Sequence, residues 1–475
     1  MLSKSAYLTG LQCPKYLWIK KHKPESIPEP DLKKQHLFDQ GDEVGHLAKT
    51  LFPKGIDIPT DPWDQNLNLT KKLLKQNKVL FEAGIAIEGL YSRADILKPG
   101  KKGWDIIEVK SSTAVKDVNL HDVAFQKYVY EKAGLTIHKC FLLHINNKYV
   151  RKGEIDVKQL FTREDITEEV KEMEEHIEER ITYMLDILSQ KQCPKQVIGP
   201  HCSDPYECPL TECFGFLPEH NVLQLYRGKK RCWELIEDGV LEIHNIPEDF
   251  KLTGHQDIQR KAAKTKKPHI DKEGIKHFLK TIKEPAHYLD FETFAAAIPM
   301  FDNTRPYQQI PFQYSLHVGK EHHSYIADMK EDPRRDFLKH LKAVIKPKGS
   351  IVVYNQSFEK GRLKELAELF PKEKILINSW LDRIVDLIIP FRNFYYYHPD
   401  QKGSASVKDV LPVLTKKTYK ELNIQGGEEA YLKYLYAIHD ADEEEKERIF
   451  KDLEKYCGLD TEAMVLILEK LKQLV

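Results

Sequence analysis

Two α/β units are predicted for this chain, on three observations. Residues 34 to 145 run helix, three strands, helix, strand, an order that lays helices on a sheet. A second strand cluster opens at His287 and gives way to helices that continue to the C-terminus. At 475 residues the chain is too long for one ordinary core, and length alone suggests about two to four domains.

Each element has its own signal. Residues 34–52 carry Leu37, Phe38, Val44, Leu47, Ala48 and Leu51 at helical spacing and stop at Pro53. Strands are predicted over 79–87, 89–97 and 103–110, with Lys98-Pro99-Gly100-Lys101-Lys102 as a turn. A helix over 118–133 and a strand over 138–145 complete this unit. Residues 164–191 read as one long charged helix leading into a cysteine-rich stretch from Cys193 to Cys213. Residues 221–282 are polar, Lys-rich and broken by Gly239, Pro247 and Gly254, so a connector of short helices is expected. Strands follow near 286–292, 312–319, 322–327 and 350–354. The boundaries expected are therefore 1–220, 221–282 and 283–475.

Composition narrows the class. Hydrophobic residues make up 41% and charged residues 31%, as in soluble globular proteins. No apolar run approaches the roughly 20 residues that span a bilayer, and the opening Met-Leu-Ser-Lys has no signal-peptide pattern. A cytoplasmic location without membrane association is expected. With 73 basic and 73 acidic residues, the chain is not a strongly basic nucleic-acid binder. A nuclease remains compatible, because acidic ligands at its centre offset basic residues around them. The runs Lys20-Lys21-His22-Lys23 and Arg260 to Lys267 read as solvated surface before phosphate tracks. Eight cysteines in a reducing compartment point to metal ligation before disulfides.

Two acidic constellations carry the chemistry. In the first, Asp95 ends one strand, and Glu108 and Lys110 share a face of the strand Asp105-Ile106-Ile107-Glu108-Val109-Lys110. Two carboxylates can hold Mg²⁺ or Mn²⁺, and a nearby ammonium can position water or offset phosphate charge. Gln126 and Tyr130 lie one helical turn apart and share a face. His46 is a candidate further ligand. A bare Glu-x-Lys is more often an exposed charged strand; the surrounding Asp95, Gln126, Tyr130 and His46 reverse that weighting.

With those residues in view, the first ~220 residues resemble the RecB-type PD-(D/E)XK nucleases, with a restriction-endonuclease-like core, especially the iron–sulfur branch. The opening Leu2-Ser3-Lys4-Ser5 and Leu11-Gln12-Cys13-Pro14-Lys15-Tyr16-Leu17-Trp18 is in that branch's style. The resemblance implies Asp95 and Glu108 as metal ligands, Lys110 as catalytic lysine, and Gln126 and Tyr130 as the associated helix motif. It also implies a 4Fe–4S cluster on Cys13, Cys202, Cys208 and Cys213, with Cys193 as substitute for Cys13. The Cys-x5-Cys-x4-Cys spacing departs from that branch, and a four-cysteine zinc site or unligated thiols stay open.

In the second constellation, Asp290 and Glu292 close an apolar strand, Glu359 follows another, and Tyr456 and Asp460 are four apart, on one helix face. Four carboxylates can hold two metals roughly 3.5–4 Å apart, with a tyrosine hydroxyl orienting the water. Each piece alone is commonplace. Their order over about 170 residues resembles the DnaQ-like 3′–5′ exonucleases of the ribonuclease-H fold, in the tyrosine-bearing DEDD class. The resemblance implies Asp290, Glu292, Glu359 and Asp460 as ligands and Tyr456 as the water-orienting group. Glu359 stands where that class has Asp. Residues 382–387 and Ser406-Val407-Lys408 follow the same layout and read as structural.

The whole chain, with Leu225-Tyr226-Arg227-Gly228, Pro299, Pro306-Tyr307 and Ile310-Pro311-Phe312, resembles a bacterial family known as domain of unknown function 2779. The expectation is an α/β, two-domain, metal-dependent nuclease acting on nucleic acid, with DNA ends favoured over RNA. The rivals are a nucleic-acid-binding or scaffold protein with a degraded site, and an RNA-processing exonuclease.

Overall fold

The computed structural model describes residues 1–328 and 331–475. The fold is mixed α/β, in two compact units: Met1–Gly215 with Ala296–Gln308, and Phe216–Ala295 with Gln309–Val475. Among the described residues, no helix is long and apolar enough to cross a membrane.

The first unit starts with a short strand, β1 (Leu2–Ser3), and α1 (Lys4–Gln12). The Ser3 hydroxyl accepts from the Ala6 amide at 3.2 Å and so satisfies one first-turn donor. α2 (Pro14–His22) follows directly, with proline at its first position, where no amide is needed. Then come α3 (Leu32–Lys49), β2 (Ile56–Asp57), α4 (Trp63–Leu73), β3 (Leu80–Ile87), β4 (Leu90–Gly100) and β5 (Gly103–Lys110). After these lie α5 (Asp117–Lys132), β6 (Ile137–Ile145), α6 (Val157–Leu160), β7 (Phe161–Asp165), α7 (Thr167–Glu174) and α8 (Ile177–Ser189).

One sheet has the order β2-β3-β4-β5-β6-β7, with β1 beside β4. β3, β4 and β5 are antiparallel; β6 is parallel to β5 because α5 carries the crossover. Glu88 and Gly89, at φ 48° and 81°, supply the two positive values of a tight two-residue hairpin. Leu120, Val123, Phe125 and Val129 of α5 share a core with Tyr7 and Leu17. The segment 296–308 is tied into this unit by Arg151 Nη1, which donates to the Pro299 and Met300 carbonyls at 2.9 and 2.7 Å. The Tyr307 hydroxyl donates to the Ser111 carbonyl.

The second unit contains α9 (Lys230–Glu237), α10 (Gly254–Thr265), β8 (His269–Ile270), α11 (Lys272–Leu279), β9 (His287–Phe294), β10 (Ile310–Val318) and β11 (Glu321–Ile326). It continues with α12 (Arg334–Val344), β12 (Ile351–Val353), α13 (Ser357–Leu369), α14 (Lys374–Leu381), β13 (Ile384–Asp386), α15 (Ile389–Arg392) and β14 (Tyr396–Tyr397). α16 (Val407–Thr415), α17 (Gly427–His439) and α18 (Glu443–Gln473) close the chain. Its main sheet has the order β11-β10-β9-β12-β13, antiparallel across the first three strands and parallel across the last three. Leu289, Phe291, Tyr314, Phe337, Val353 and Leu363 belong to its core. The long α18 is capped by Asp442, which accepts from the Glu445 amide at 2.9 Å. Acids fill its first turn, and Lys470 and Lys472 its last, as the helix dipole favours.

The structure differs from the sequence reading in three places. The helix expected over 164–191 begins as β7 and breaks between α7 and α8, where His176 adopts φ 61°. Residues 221–282, read as a connector, group with the second unit, and β8 pairs with β14. The turn expected at 98–102 is mostly strand, leaving only Lys101 and Lys102 between β4 and β5.

Two candidate acidic centres

The first centre forms where β4, β5, α5 and α1 meet. Ile96 pairs with Ile107, so Asp95 and Glu108 are the next cross-strand pair along. Asp95 is partly buried and its Oδ2 accepts from the Val109 amide at 2.8 Å. Glu108 is 1% exposed; its Oε2 accepts from Gln126 Nε2 at 2.6 Å, and its Oε1 lies 2.7 Å from Lys110 Nζ. Asp122, one turn before Gln126 on α5, pairs with Lys110 at 2.8 Å and accepts from Gln126 at 3.0 Å. Lys4, the first residue of α1, reaches the same Glu108 oxygen at 2.7 Å.

Electrostatics follow from this packing. Burial would raise Glu108, but Lys110 and Lys4 overcome it and hold the carboxyl well below its usual range. Asp95 has no such pairing; burial, reinforced by Glu108, pushes it up to about 7. Burial would lower Lys110, but Asp122, Glu108 and Asp95 together raise it well above an ordinary lysine.

His46 is exposed on α3 and lines the same cavity of about 360 Å³, without a hydrogen bond to either carboxylate. Tyr130 is a correction. Its hydroxyl donates to the Ala83 carbonyl and accepts from the Ala94 amide at 3.0 Å, so this buried side chain ties α5 to β3 and β4. It has no hydroxyl left to offer a substrate. Lys4 and Asp122 were not singled out as site residues from sequence. Asp122 had a signal, its one-turn offset from Gln126.

The second centre is built on β9, α13 and α18. Ligand atoms of Asp290, Glu292 and Cys457 lie within 4.8 Å of one another, and the Cys457 thiol is 3.5 Å from Asp290 Oδ2. Asp460 Oδ1 accepts from the Tyr419 hydroxyl at 2.7 Å, and the nearby Tyr456 hydroxyl helps hold this carboxyl down. Glu359, in the first turn of α13, is 1% exposed, and its Oε2 has no hydrogen-bond partner among the described residues. The turn before α13 is fixed by Asp386, which accepts from the amides of Asn355 and Gln356 at 2.9 and 3.0 Å. Asp386 thus has the structural role expected of residues 382–387. Lys408 differs: its ammonium lies 5.2 Å from the Tyr456 ring centre and 5.5 Å from that of Tyr419, and its charge acts on Glu292 and Asp460.

Among the described residues, none of these four carboxylates makes an ion pair. Burial pushes Glu292 up to about 8, Glu359 to about 8 and Asp460 to about 6, and Asp460 and Glu292 add to burial in raising Asp290 well above its usual range. The folded, metal-free protein therefore holds more protons here than the unfolded chain between about pH 4.5 and 8. Stability falls as pH rises through that window. A divalent cation bound among these carboxylates would replace those protons. Thermal melts of chelator-treated protein with and without Mn²⁺ should give a larger stabilisation at pH 8.5 than at pH 6. Equal stabilisation at both would mean the cation binds elsewhere.

Cys13, Cys193, Cys202, Cys208 and Cys213 gather at the other end of α1. All are free thiols. Cys13 ends α1 and, as the cap of α2, lies 3.5 Å from the Tyr16 amide. Cys208 N donates to the Cys202 carbonyl at 2.8 Å, and Lys15 Nζ lies 3.1 Å from Cys213 Sγ. Burial raises Cys208, and the charges of Cys13, Cys202 and Cys213 add to it, so the four thiols lie within electrostatic reach. Cys193 couples to Cys213. Among the described residues no three thiols lie within 4.8 Å of one another.

By sequence, the chain is similar to a family of unknown function and to proteins named only as uncharacterized. Residues 287–406 match the family model described as Domain of unknown function (DUF2779). That segment includes Asp290, Glu292 and Glu359. The chain is 24% identical over 404 residues to the uncharacterized protein MG366 homolog of Mycoplasma pneumoniae, covering 72% of this chain and 60% of that protein. It is 29% identical over 224 residues to the uncharacterized protein UU173 of Ureaplasma parvum, covering 41% and 32% respectively. The uncharacterized protein MG366 of Mycoplasma genitalium is 29% identical over 225 residues, covering 41% and 33%. The matches thus span from about a third to three fifths of these relatives' lengths.

Proposed function

We propose that the chain is a metal-dependent nuclease with two phosphodiester-hydrolysing centres, a RecB-type PD-(D/E)XK unit and a DnaQ-like unit of ribonuclease-H fold. The observation that carries the reading is the second centre: four carboxylates from three elements and, among the described residues, no compensating ion pair and one buried oxygen without a partner. Carboxylate oxygens in this number suit Mg²⁺ or Mn²⁺. The strand orders of both sheets fit the two expected folds, and the Asp95–Glu108–Lys110 set fits the first site.

In the second centre Asp290, Glu292, Glu359 and Asp460 would hold the metal, which would supply Lewis-acid activation of water and neutralise phosphate charge. Tyr456 keeps its proton, because burial and Asp460 raise it far above an ordinary phenol, so it acts as a hydrogen-bond donor. Tyr419 holds Asp460 in place. In the first centre Asp95 and Glu108 would hold the metal, and Gln126 orients Glu108 through its amide. The buried Gln126 Oε1 is unpartnered among the described residues. Lys110 supplies the positive charge for the phosphate. Tyr130 has no part in this mechanism.

The thiols of Cys13, Cys202, Cys208 and Cys213 would hold a 4Fe–4S cluster, with no role in hydrolysis beyond tying the unit's two ends. Protein purified without oxygen should be brown and carry iron and sulfide, and Cys13→Ser should lower the melting temperature of the first unit. Colourless protein with one equivalent of zinc would contradict the cluster.

The substrate proposed is nucleic acid, DNA ends before RNA. End-labelled single- and double-stranded DNA and RNA incubated with the full chain should shorten in Mn²⁺ and stay intact in chelator. Tight binding with no shortening in any metal would leave a binding module instead.

A further inference from the structure

In the first centre two ammonium groups share a single carboxylate oxygen. Lys4 Nζ lies 2.7 Å from Glu108 Oε1 and 3.5 Å from Asp122 Oδ1. Lys110 Nζ lies 2.7 Å from that same Glu108 oxygen and 2.8 Å from Asp122 Oδ2. Two ammonium groups on one carboxylate oxygen can coexist while no other cation is near. When a divalent cation takes Glu108, three positive groups would crowd one oxygen, and the most weakly held must leave. Lys110 has two short contacts; Lys4 has one.

We propose that Lys4 is a place-holding cation: it neutralises Glu108 and Asp122 while the first centre is empty and, displaced by a divalent cation, turns to a backbone phosphate of the substrate. Its backbone stays fixed while its side chain moves. Leu2 and Ser3 pair with Leu90 and Tyr91 of β4, the strand that carries Asp95, and Ser3 caps the helix that Lys4 begins. A four-carbon stem on a fixed base gives a compact charge the required reach. The cavity it lines also contains Lys49 and Arg93, but both are engaged by Glu82, at 3.2 and 3.1 Å. Lys4 is therefore the cation that metal binding sets free. The phosphate half of this role rests on the nuclease reading above; the place-holding half does not.

The test uses the full chain with the second centre silenced by Asp290→Asn, comparing Lys4, Lys4→Ala and Lys4→Arg. Mn²⁺ binding is followed by the resonance signal of the free ion, and a single-stranded DNA oligonucleotide is titrated at several salt concentrations. Lys4→Ala removes the competitor, so Mn²⁺ should bind about tenfold more tightly, the size of a one-unit electrostatic interaction. The oligonucleotide should bind more weakly, with a slope of log affinity against log salt shallower by about one. Lys4→Arg should keep the wild-type slope. Unchanged or weaker Mn²⁺ binding in Lys4→Ala would overturn the place-holding role, and an unchanged salt slope would overturn the phosphate contact. Because the Mn²⁺ titration involves no hydrolysis, it separates these failures from failure of the nuclease reading.

Discussion

Asp290→Asn is expected to abolish hydrolysis by the second centre and, at the same time, to stabilise the metal-free protein. The loss of activity should be on the order of a thousandfold or more, the scale of removing one preorganised electrostatic group. The stability gain has the opposite origin. Asp460 and Glu292 raise Asp290, and Asp460 raises Glu292, so Asp290 sits against like charges whose repulsion its removal relieves. The gain should be largest near pH 8.5, where the wild-type acids are ionised, and should shrink toward pH 5 as they take up protons. Adding Mn²⁺ should reverse the order, since only the wild type keeps a full ligand set. Paired melts in chelator and in Mn²⁺ measure both; a variant less stable than wild type in chelator at pH 8.5 would show that Asp290 serves packing. Glu359→Asp is a milder change: its shorter arm should lower activity if the backbone has adjusted to glutamate, and raise it if the glutamate marks a decayed site.

Glu108→Ala should have the largest effect on the first unit, and Lys110→Ala a contrasting one. Glu108 accepts from Lys4, Lys110 and Gln126, and it is almost fully buried. Its removal leaves two ammonium groups facing Asp122 and one Gln126 N–H without its acceptor, at a cost of about 3 kcal/mol. Metal binding and cleavage by this centre should both disappear. Lys110→Ala leaves Lys4 to neutralise Glu108 and Asp122, so the fold and metal binding should survive while cleavage is lost. Calorimetry and metal titration on the two variants separate these outcomes. Equal destabilisation by both would show that the pair only holds the strand.

Much of this was legible because the signals are local. Alternation placed β4 and β5, and a one-turn offset placed Gln126 on α5. Asp290 and Glu292 follow an apolar strand that reads plainly as β9. Other features depend on contacts that sequence spacing does not encode. Lys4 and Glu108 are 104 residues apart, and Tyr419 and Asp460 are 41 apart. Tyr130 has the right helical offset, but its ring reaches past the carboxylates to the backbone of β3. The break at His176 was hidden because charged residues continue across it, and β13 has only three residues, too few for a periodic signal. Cys457 carries no separate signal in the sequence, yet it faces Asp290.

The central claim, two independent metal-dependent hydrolytic centres, is tested most directly by one measurement. End-labelled single-stranded DNA is incubated in Mn²⁺ with the wild-type full chain, Lys110→Ala, Asp290→Asn and the double variant. Each single variant should retain part of the wild-type cleavage, and the double variant should retain none. Cleavage by the double variant at the wild-type rate, or no cleavage by the wild type itself, would contradict the account.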